Sequence, residues 1–453
     1  MRVAIVGGGI LGTSLGYFLA EAGVEVHLVE RGDNLGGLVA PIELDELGGV
    51  RVDRYYHCIL NSDRHFIDLI RAVGLGDRLQ QVETKMGFYH DTRLYPMSTP
   101  LEFLRFPPLG MLDRARLALT ILACRRITDW HDLENVSVEA WLTRLSGRHA
   151  YETIWKPLLG AKFDGDFAQV PATYIWSRLV RMTDTRDGAA QKELMGYLIG
   201  GHLPVVEALA ARVVASGGTV RTGTAVSAVL TDNIGRVRGI RTDRGDVEAD
   251  AVVLTTPTGI ARRLLPEQLS PVADRWGQLD GYLGVILLLV VLRRQLTPYY
   301  TTNVTDTSVP FTGVIETTNL IAPEHVGGYH LVYLPKYVYP DNPYTAMDDD
   351  SLRADFLGHL RRMFPDLTDD DIVTTRLFRE RYVEPIHPIG GMDRIAPIRT
   401  EIPGLYLANT SQFYPALTNC DSVTRHARQV SSLVLEGESP SRYAREEELL
   451  ATV

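Results

Sequence analysis

Val3-Ala4-Ile5-Val6 runs straight into Gly7-Gly8-Gly9-Ile10-Leu11-Gly12 and a helical stretch ending near Gly23; a second apolar strand, Val24 to Val29, stops at Glu30. Strand, glycine turn, helix, strand and acid in that order describe a βαβ unit that grips a dinucleotide. Gly7 permits the tight turn, Gly9 lets backbone approach a pyrophosphate, and Gly12 allows close packing of helix on strand. The diphosphate is then expected on the helix N-terminus, where free N–H groups and the macrodipole favour negative charge. Glu30 lies about 20 residues past the glycines, so its carboxylate suits ribose hydroxyls and argues against a 2′-phosphate. The alternative is an ordinary βαβ turn; the complete context favours dinucleotide binding.

The segment after the acid, Arg31-Gly32-Asp33-Asn34-Leu35-Gly36-Gly37-Leu38, adds a second glycine pair. It resembles the extended fingerprint of FAD-binding oxidoreductases related to amine oxidases, protoporphyrinogen oxidases, phytoene desaturases and UDP-galactopyranose mutases. The resemblance implies an α/β chain in which a Rossmann-like FAD-binding domain of the GR2 or amine oxidase type is interleaved with an α+β substrate domain. It also implies non-covalent FAD, with Gly7, Gly9, Ile10, Leu11, Gly12, Glu30, Arg31, Gly36, Gly37 and Leu38 around it. Gly200-Gly201 before a helix, and Gly217-Gly218 before Val226 and Val229, resemble the segment whose valine strand lies beside the adenine. Ala249 to Pro257 resembles the strand returning to the dinucleotide, which brings in Thr255. Pro403 to Thr410, with Asn409, precedes a loop and a helix starting at Asn419-Cys420-Asp421-Ser422-Val423 and running through Val430. That helix N-terminus is expected at the flavin pyrimidine oxygen, with Asp421 as an alternative cap.

At 453 residues the chain suits two or three domains. The dinucleotide half is expected in three pieces, 1–95, 195–270 and 375–453, and the substrate half in 96–194 and 271–374. A net charge of −10 with dispersed Lys and Arg argues against nucleic acid. Cys58, Cys124 and Cys420 are too few and scattered for a disulfide framework or zinc site, and the early strand leaves no room for a signal peptide, so the cytoplasm is expected. Val285 to Leu292 is far short of the roughly 20 residues of a spanning helix and reads as a buried strand. Residues 101–124 mix leucines with arginines: they are read first as helices walling an apolar pocket, with peripheral membrane contact as the alternative. The sequence leaves the oligomeric state open.

Amine oxidases resembling this chain place a lysine in the strand passing the flavin; the matching Gly284 to Leu289 has none. Arg54 to Asp63 is similar to the histidine-bearing loop of the mutases, which makes Tyr56 a substrate contact and His57 the catalytic candidate. Imidazole titrates near neutrality and moves protons. Pro310 to Thr318 is similar to the mutase segment reaching the sugar and implicates Glu316, although Gly313 stands where the mutases have arginine. The alternative for His57 is a histidine satisfied within its loop, and for Pro310 to Thr318 a turn feeding an ordinary strand. Tyr299, Tyr300, Tyr333, Tyr337, Tyr339 and Tyr344, with Lys336, Arg376, Arg379, Arg381 and Arg399, suit a pocket for a polar or phosphorylated substrate, or else cross-strand packing and solvated charge. Tyr337 and Arg399 are the ones singled out. Asp348–Asp350 and Asp369–Asp371 read as helix-start charge, and no His/Cys spacing suggests a metal. The expected activity is removal of hydride from an organic substrate by an amine oxidase or protoporphyrinogen oxidase-like enzyme. The alternatives are a flavin-dependent mutase acting on a nucleotide- or lipid-linked sugar and a flavin-binding scaffold.

Overall fold

A computed structural model describes residues 1–183, 194–279 and 281–437. Arg2–Val6 is the middle strand of a five-stranded parallel sheet ordered Thr219–Arg221, Glu25–Val29, Arg2–Val6, Ala251–Leu254, Leu405–Leu407. Successive side chains of a strand point to opposite faces. Val3 and Ile5 accordingly pack with helices Ile10–Glu21, Leu203–Ala215 and Cys420–Glu436, while Ala4 and Val6 join the core under a three-stranded sheet of Val226–Thr231, Val237–Thr242 and Gly245–Glu248. Both faces are covered, which is why these strands read as continuous apolar runs.

The second sheet has seven strands, ordered Ile372–Pro385, Tyr282–Leu292, His330–Val338, Gly313–Glu316, Thr301–Val304, Met86–His90, Arg93–Pro96. Tyr282–Leu292 is the buried strand expected there, with every residue buried. Val285, Leu287, Leu289 and Val291 share a core with Leu44, Val52 and Tyr55; Ile286, Leu288, Val290 and Leu292 pack with Leu352, Phe356 and Leu360 of helix Asp349–Met363. The sheet crosses two of the expected sequence boundaries. Met86–His90 and Arg93–Pro96 lie before or across the cut at 95, and Ile372–Pro385 across the cut at 374, yet their hydrogen bonds place all three in this sheet. Residues 438–453 of the last dinucleotide segment lie outside the described residues.

Helices between Pro100 and Thr183 form a third core around Trp141, Tyr151 and Trp176. Helix Met111–Cys124 buries Leu117, Thr120 and Cys124, and Trp176 Nε1 donates to the Cys124 carbonyl at 3.1 Å. Met111, Leu112, Leu119 and Leu122 are exposed, while Leu117 packs inward. Among the described residues no helix is long and apolar enough to cross a membrane. Asp348 caps its helix through Ser351 N, and Thr368 with Asp371 forms a capping box, as expected of helix-start acids.

Candidate active site

The glycine turn is shaped by contacts that exclude side chains. A Cβ on Gly12 would stand 1.9 Å from the Gly7 carbonyl oxygen, and Gly7 has φ +116°. A Cβ on Gly9 would meet only Gly36 O and Gly37 Cα, both at 4.0 Å, so the surface between the two glycine pairs is open. Gly36 N donates to Gly8 O at 2.9 Å, joining the pairs, with Leu38 one residue on. Helix Ile10–Glu21 starts at Gly9 with no side-chain cap and no acid in its first turn, leaving the Ile10 and Leu11 end open to an anion. Glu30 follows the adjacent strand, and its carboxylate accepts from Gly8 N and Gly32 N, each at 2.7 Å. The neighbouring Arg31 is exposed. Thr255 Oγ1 donates to Val6 O at 2.9 Å and so buttresses the turn; the next hydroxyl, Thr256 Oγ1, is sealed and unpartnered. An open glycine surface, an uncapped helix start and an acid after the second strand fit a dinucleotide.

The other expected cofactor residues sit on separate elements. Val226 starts the strand paired at Thr242. Asn409 accepts from Ser411 N at 3.1 Å and reaches Thr258 Oγ1 at 3.2 Å. Helix Cys420–Glu436 is capped by Asn419, which accepts from Ser422 N at 2.9 Å; Asp421 instead accepts from Phe66 N at 3.0 Å and docks a neighbouring helix. Val423 is buried in the core beneath. The helix runs six residues past Val430.

A separate pocket is lined by residues that include Asp53, Tyr56, His57, Gly201 and Tyr333. Asp53 Oδ2 lies 2.6 Å from His202 Nδ1, and Tyr333 donates to the Asp53 carbonyl at 2.6 Å. Burial alone would lower His202, but the Asp53 carboxylate reverses it and raises the imidazole to about 10. His57, with its ring centroid 5.1 Å from that of His202, is lowered to about 4 by burial and the neighbouring imidazolium; its Nδ1 is sealed and unpartnered. His57 is therefore neutral at ordinary pH, contrary to a group titrating near 6.5.

Tyr56, which lines this pocket, also belongs to a basic, aromatic cluster. Its hydroxyl lies 3.2 Å from that of Tyr337. Lys162 Nζ sits 3.4 Å from the centre of the Tyr337 ring and 3.1 Å from Glu384, and Arg178 lies 4.6 Å over the ring of Tyr174. Burial raises the Tyr56, Tyr174 and Tyr337 phenols, which stay protonated donors. Lys162, Tyr174, Arg178 and Glu384 were not among the sequence candidates. Their one local signal is Tyr174 and Arg178 spaced four apart on helix Thr173–Thr183, which puts them on one face.

Two expected substrate contacts stand elsewhere. Glu316 is fully buried and accepts from Leu296 N at 2.8 Å and from Thr297 N at 2.7 Å, so it anchors a loop. Burial raises it to about 7 despite those bonds. Arg399 donates to Leu433 O at 3.1 Å on the C-terminal helix of the other half. A Cβ on Gly313 would lie 2.9 Å from Thr302 O, so the strand backbone leaves no room there for a mutase-like arginine. Arg376 and Arg379 pair with Glu46 and Asp349 at the surface.

The family of flavin containing amine oxidoreductases matches residues 14–434. The chain belongs to that family. It is 25% identical over 325 residues to 15-cis-phytoene desaturase of Synechococcus elongatus, a match covering 64% of this chain and 65% of the relative. The chain thus spans just under two thirds of that relative's length. Among solved structures, reduced UDP-galactopyranose mutase superposes with a TM-score of 0.74 at 16% identity, covering 99% of this chain and 97% of the mutase. Putrescine oxidase bound to putrescine gives 0.71 at 17%, covering 96% and 99%. These two likenesses show the fold.

Proposed function

We propose that this family member is an oxidoreductase that holds FAD without a covalent bond and removes hydride from a carbon of a small or medium organic substrate. The observation that carries the reading is the cradle: glycine pairs at 7–12 and 36–37 joined by a backbone bond, with the Glu30 carboxylate beside them. The flavin, when bound, supplies the electron-accepting ring. The chain's own residues orient and enclose. Ile10, Leu11 and Gly12 offer amides to the pyrophosphate, and the remaining lone pairs of Glu30 take ribose hydroxyls. His57, held neutral, has both a ring N–H and a lone pair, so it can accept or return a substrate proton without first losing its own. Tyr56 and Tyr337 orient the substrate by phenolic hydrogen bonds in surroundings shielded from water.

A second reading, redox-neutral rearrangement of a sugar, draws on the same tyrosines and cations; the space at Gly313 weighs against its closest sequence parallel. Anaerobic mixing separates the two. Candidate amines, amino acids and polyenes are expected to bleach the visible flavin band of the oxidised protein. A protein that stays yellow with every such donor and turns over a sugar phosphate only after dithionite reduction refutes the oxidoreductase. Reconstitution with FMN in place of FAD tests the dinucleotide: retention of FMN with no retention of FAD refutes the cradle's assignment.

A further inference from the structure

We infer that Arg178, with Tyr174 and Lys162, is a receptor for an oxyanion carried by the substrate, a phosphate or carboxylate. The inference rests on the cluster around Tyr56 and Tyr337 being the substrate site. Lys162 already faces Glu384 at 3.1 Å. Arg181, three residues from Arg178, is held by both oxygens of Asp63 at 3.0 Å, and Lys336 sits 3.6 Å from Asp164. His387 is kept neutral by burial with Nε2 on the Ser411 carbonyl, 2.7 Å away. Among the described residues Arg178 has no ion-pair partner, and its Nε is sealed from solvent with no hydrogen bond; the Tyr174 hydroxyl beside it is sealed and unpartnered too. Two cations therefore answer one carboxylate among neutral tyrosines. A guanidinium whose Nε is sealed without a partner is costly, and its planar fork is matched by a phosphate or carboxylate. The neighbouring phenols supply further donors.

The test titrates purified holoprotein by calorimetry with inorganic pyrophosphate in one arm and acetate in the other, comparing wild type with Arg178→Gln and Arg178→Lys. Flavin content is read separately by absorbance. One anion is expected to bind wild type, to lose about tenfold or more in Arg178→Gln, and to recover partly in Arg178→Lys, at unchanged flavin content. The arm that binds identifies phosphate or carboxylate. Binding of neither anion, equal binding by the glutamine variant, or loss of flavin from that variant overturns the inference. A wild-type protein that refuses FAD yet binds the anion overturns the cradle instead.

A separate observation points to a membrane-docking face. Of the ten large apolar side chains most exposed on the described chain, five lie between Leu101 and Leu122, and Met111 reaches 85%. At 100° per residue, Met111, Ala115, Leu119, Leu122 and Leu112 fill an arc of about 100° on one helix. The opposite face is the one that packs on the protein, with its Thr120 hydroxyl 3.1 Å from Ser146. Arg105, Arg116, Arg125 and Arg126 are exposed around the arc on a chain whose net charge is −10, so the patch is complementary to anionic lipid. Flotation with phosphatidylcholine vesicles containing phosphatidylglycerol is expected to capture wild type. Replacing Leu112 and Leu119 by serine should cut partitioning about tenfold or more, and Arg125→Glu with Arg126→Glu should make binding salt-independent and weak. No flotation of wild type, equal flotation of the serine variant, or a wild-type dimer that the serine variant splits overturns it; the last assigns the face to a second copy.

Discussion

Replacing Asp53 by Asn removes the charge that keeps His202 protonated. The side chains of this pair are 13% and 3% exposed, so solvent screens them little. The imidazole rises from 6.5 to about 10 in the fold. A raised histidine contributes its full stabilisation below pH 6.5 and loses it as pH climbs through 10. Linkage over that interval gives about 4 kcal/mol at pH 7 and under about 1 kcal/mol at pH 10. The depressed Asp53 carboxyl describes the same interaction from its other partner and is not added. Breaking a buried pair by neutralising one member typically costs about 3–5 kcal/mol, which agrees. Urea unfolding followed by tryptophan fluorescence, with FAD saturating, should show Asp53→Asn destabilised by about 3–4 kcal/mol at pH 7 and nearly level with wild type at pH 10. An equal deficit at both pH values refutes the ion pair as the source.

Gly12→Ala places a methyl 1.9 Å from the Gly7 carbonyl oxygen and is expected to abolish flavin retention in a protein that still expresses, read by the absorbance ratio of the flavin and protein bands. Glu30→Ala removes the acceptor of Gly8 N and is expected to weaken FAD binding by about tenfold or more, measured by fluorescence quenching; wild-type affinity would remove Glu30 from the cradle. His57→Gln should slow substrate-driven flavin bleaching at unchanged flavin content. Because burial holds His57 to about 4, wild-type kcat/KM should show no His57 inflection near pH 6.5; one that vanishes in His57→Gln counts against a neutral imidazole. Helix Thr173–Thr183 bears Arg178 and also contacts the exposed-leucine helix through Trp176, so vesicles that change pyrophosphate affinity must have their own affinity changed by pyrophosphate through the same factor. Paired titrations check this, and a pyrophosphate affinity that vesicles leave unchanged refutes the coupling.

The cradle was legible because its partners are close in sequence. Glu30 meets Gly8, twenty-two residues away, and Gly36 meets Gly8. Strand period and glycine spacing carry such contacts directly. The basic cluster was not legible in the same way. Lys162 and Glu384 are 222 residues apart, and Arg178 comes from a third element. Tyr333 and Tyr337 share an inward face through their spacing of four along one strand, but nothing local says that Tyr337 meets Lys162 while Tyr344 meets Asp355. Glu316 shows the converse error. An acid in an apolar strand looks functional in sequence, yet amides from the loop at 296–297 surround it, and a backbone amide is contributed by almost any residue and so leaves no trace in side-chain pattern. Arg399 misled for the same reason, since its acceptor is the Leu433 carbonyl. What a charged side chain does depends on the group that answers its charge. Where that group is a near-sequence side chain or a patterned glycine turn the role can be read from the chain, and where it is a distant backbone or a distant helix only the fold supplies it.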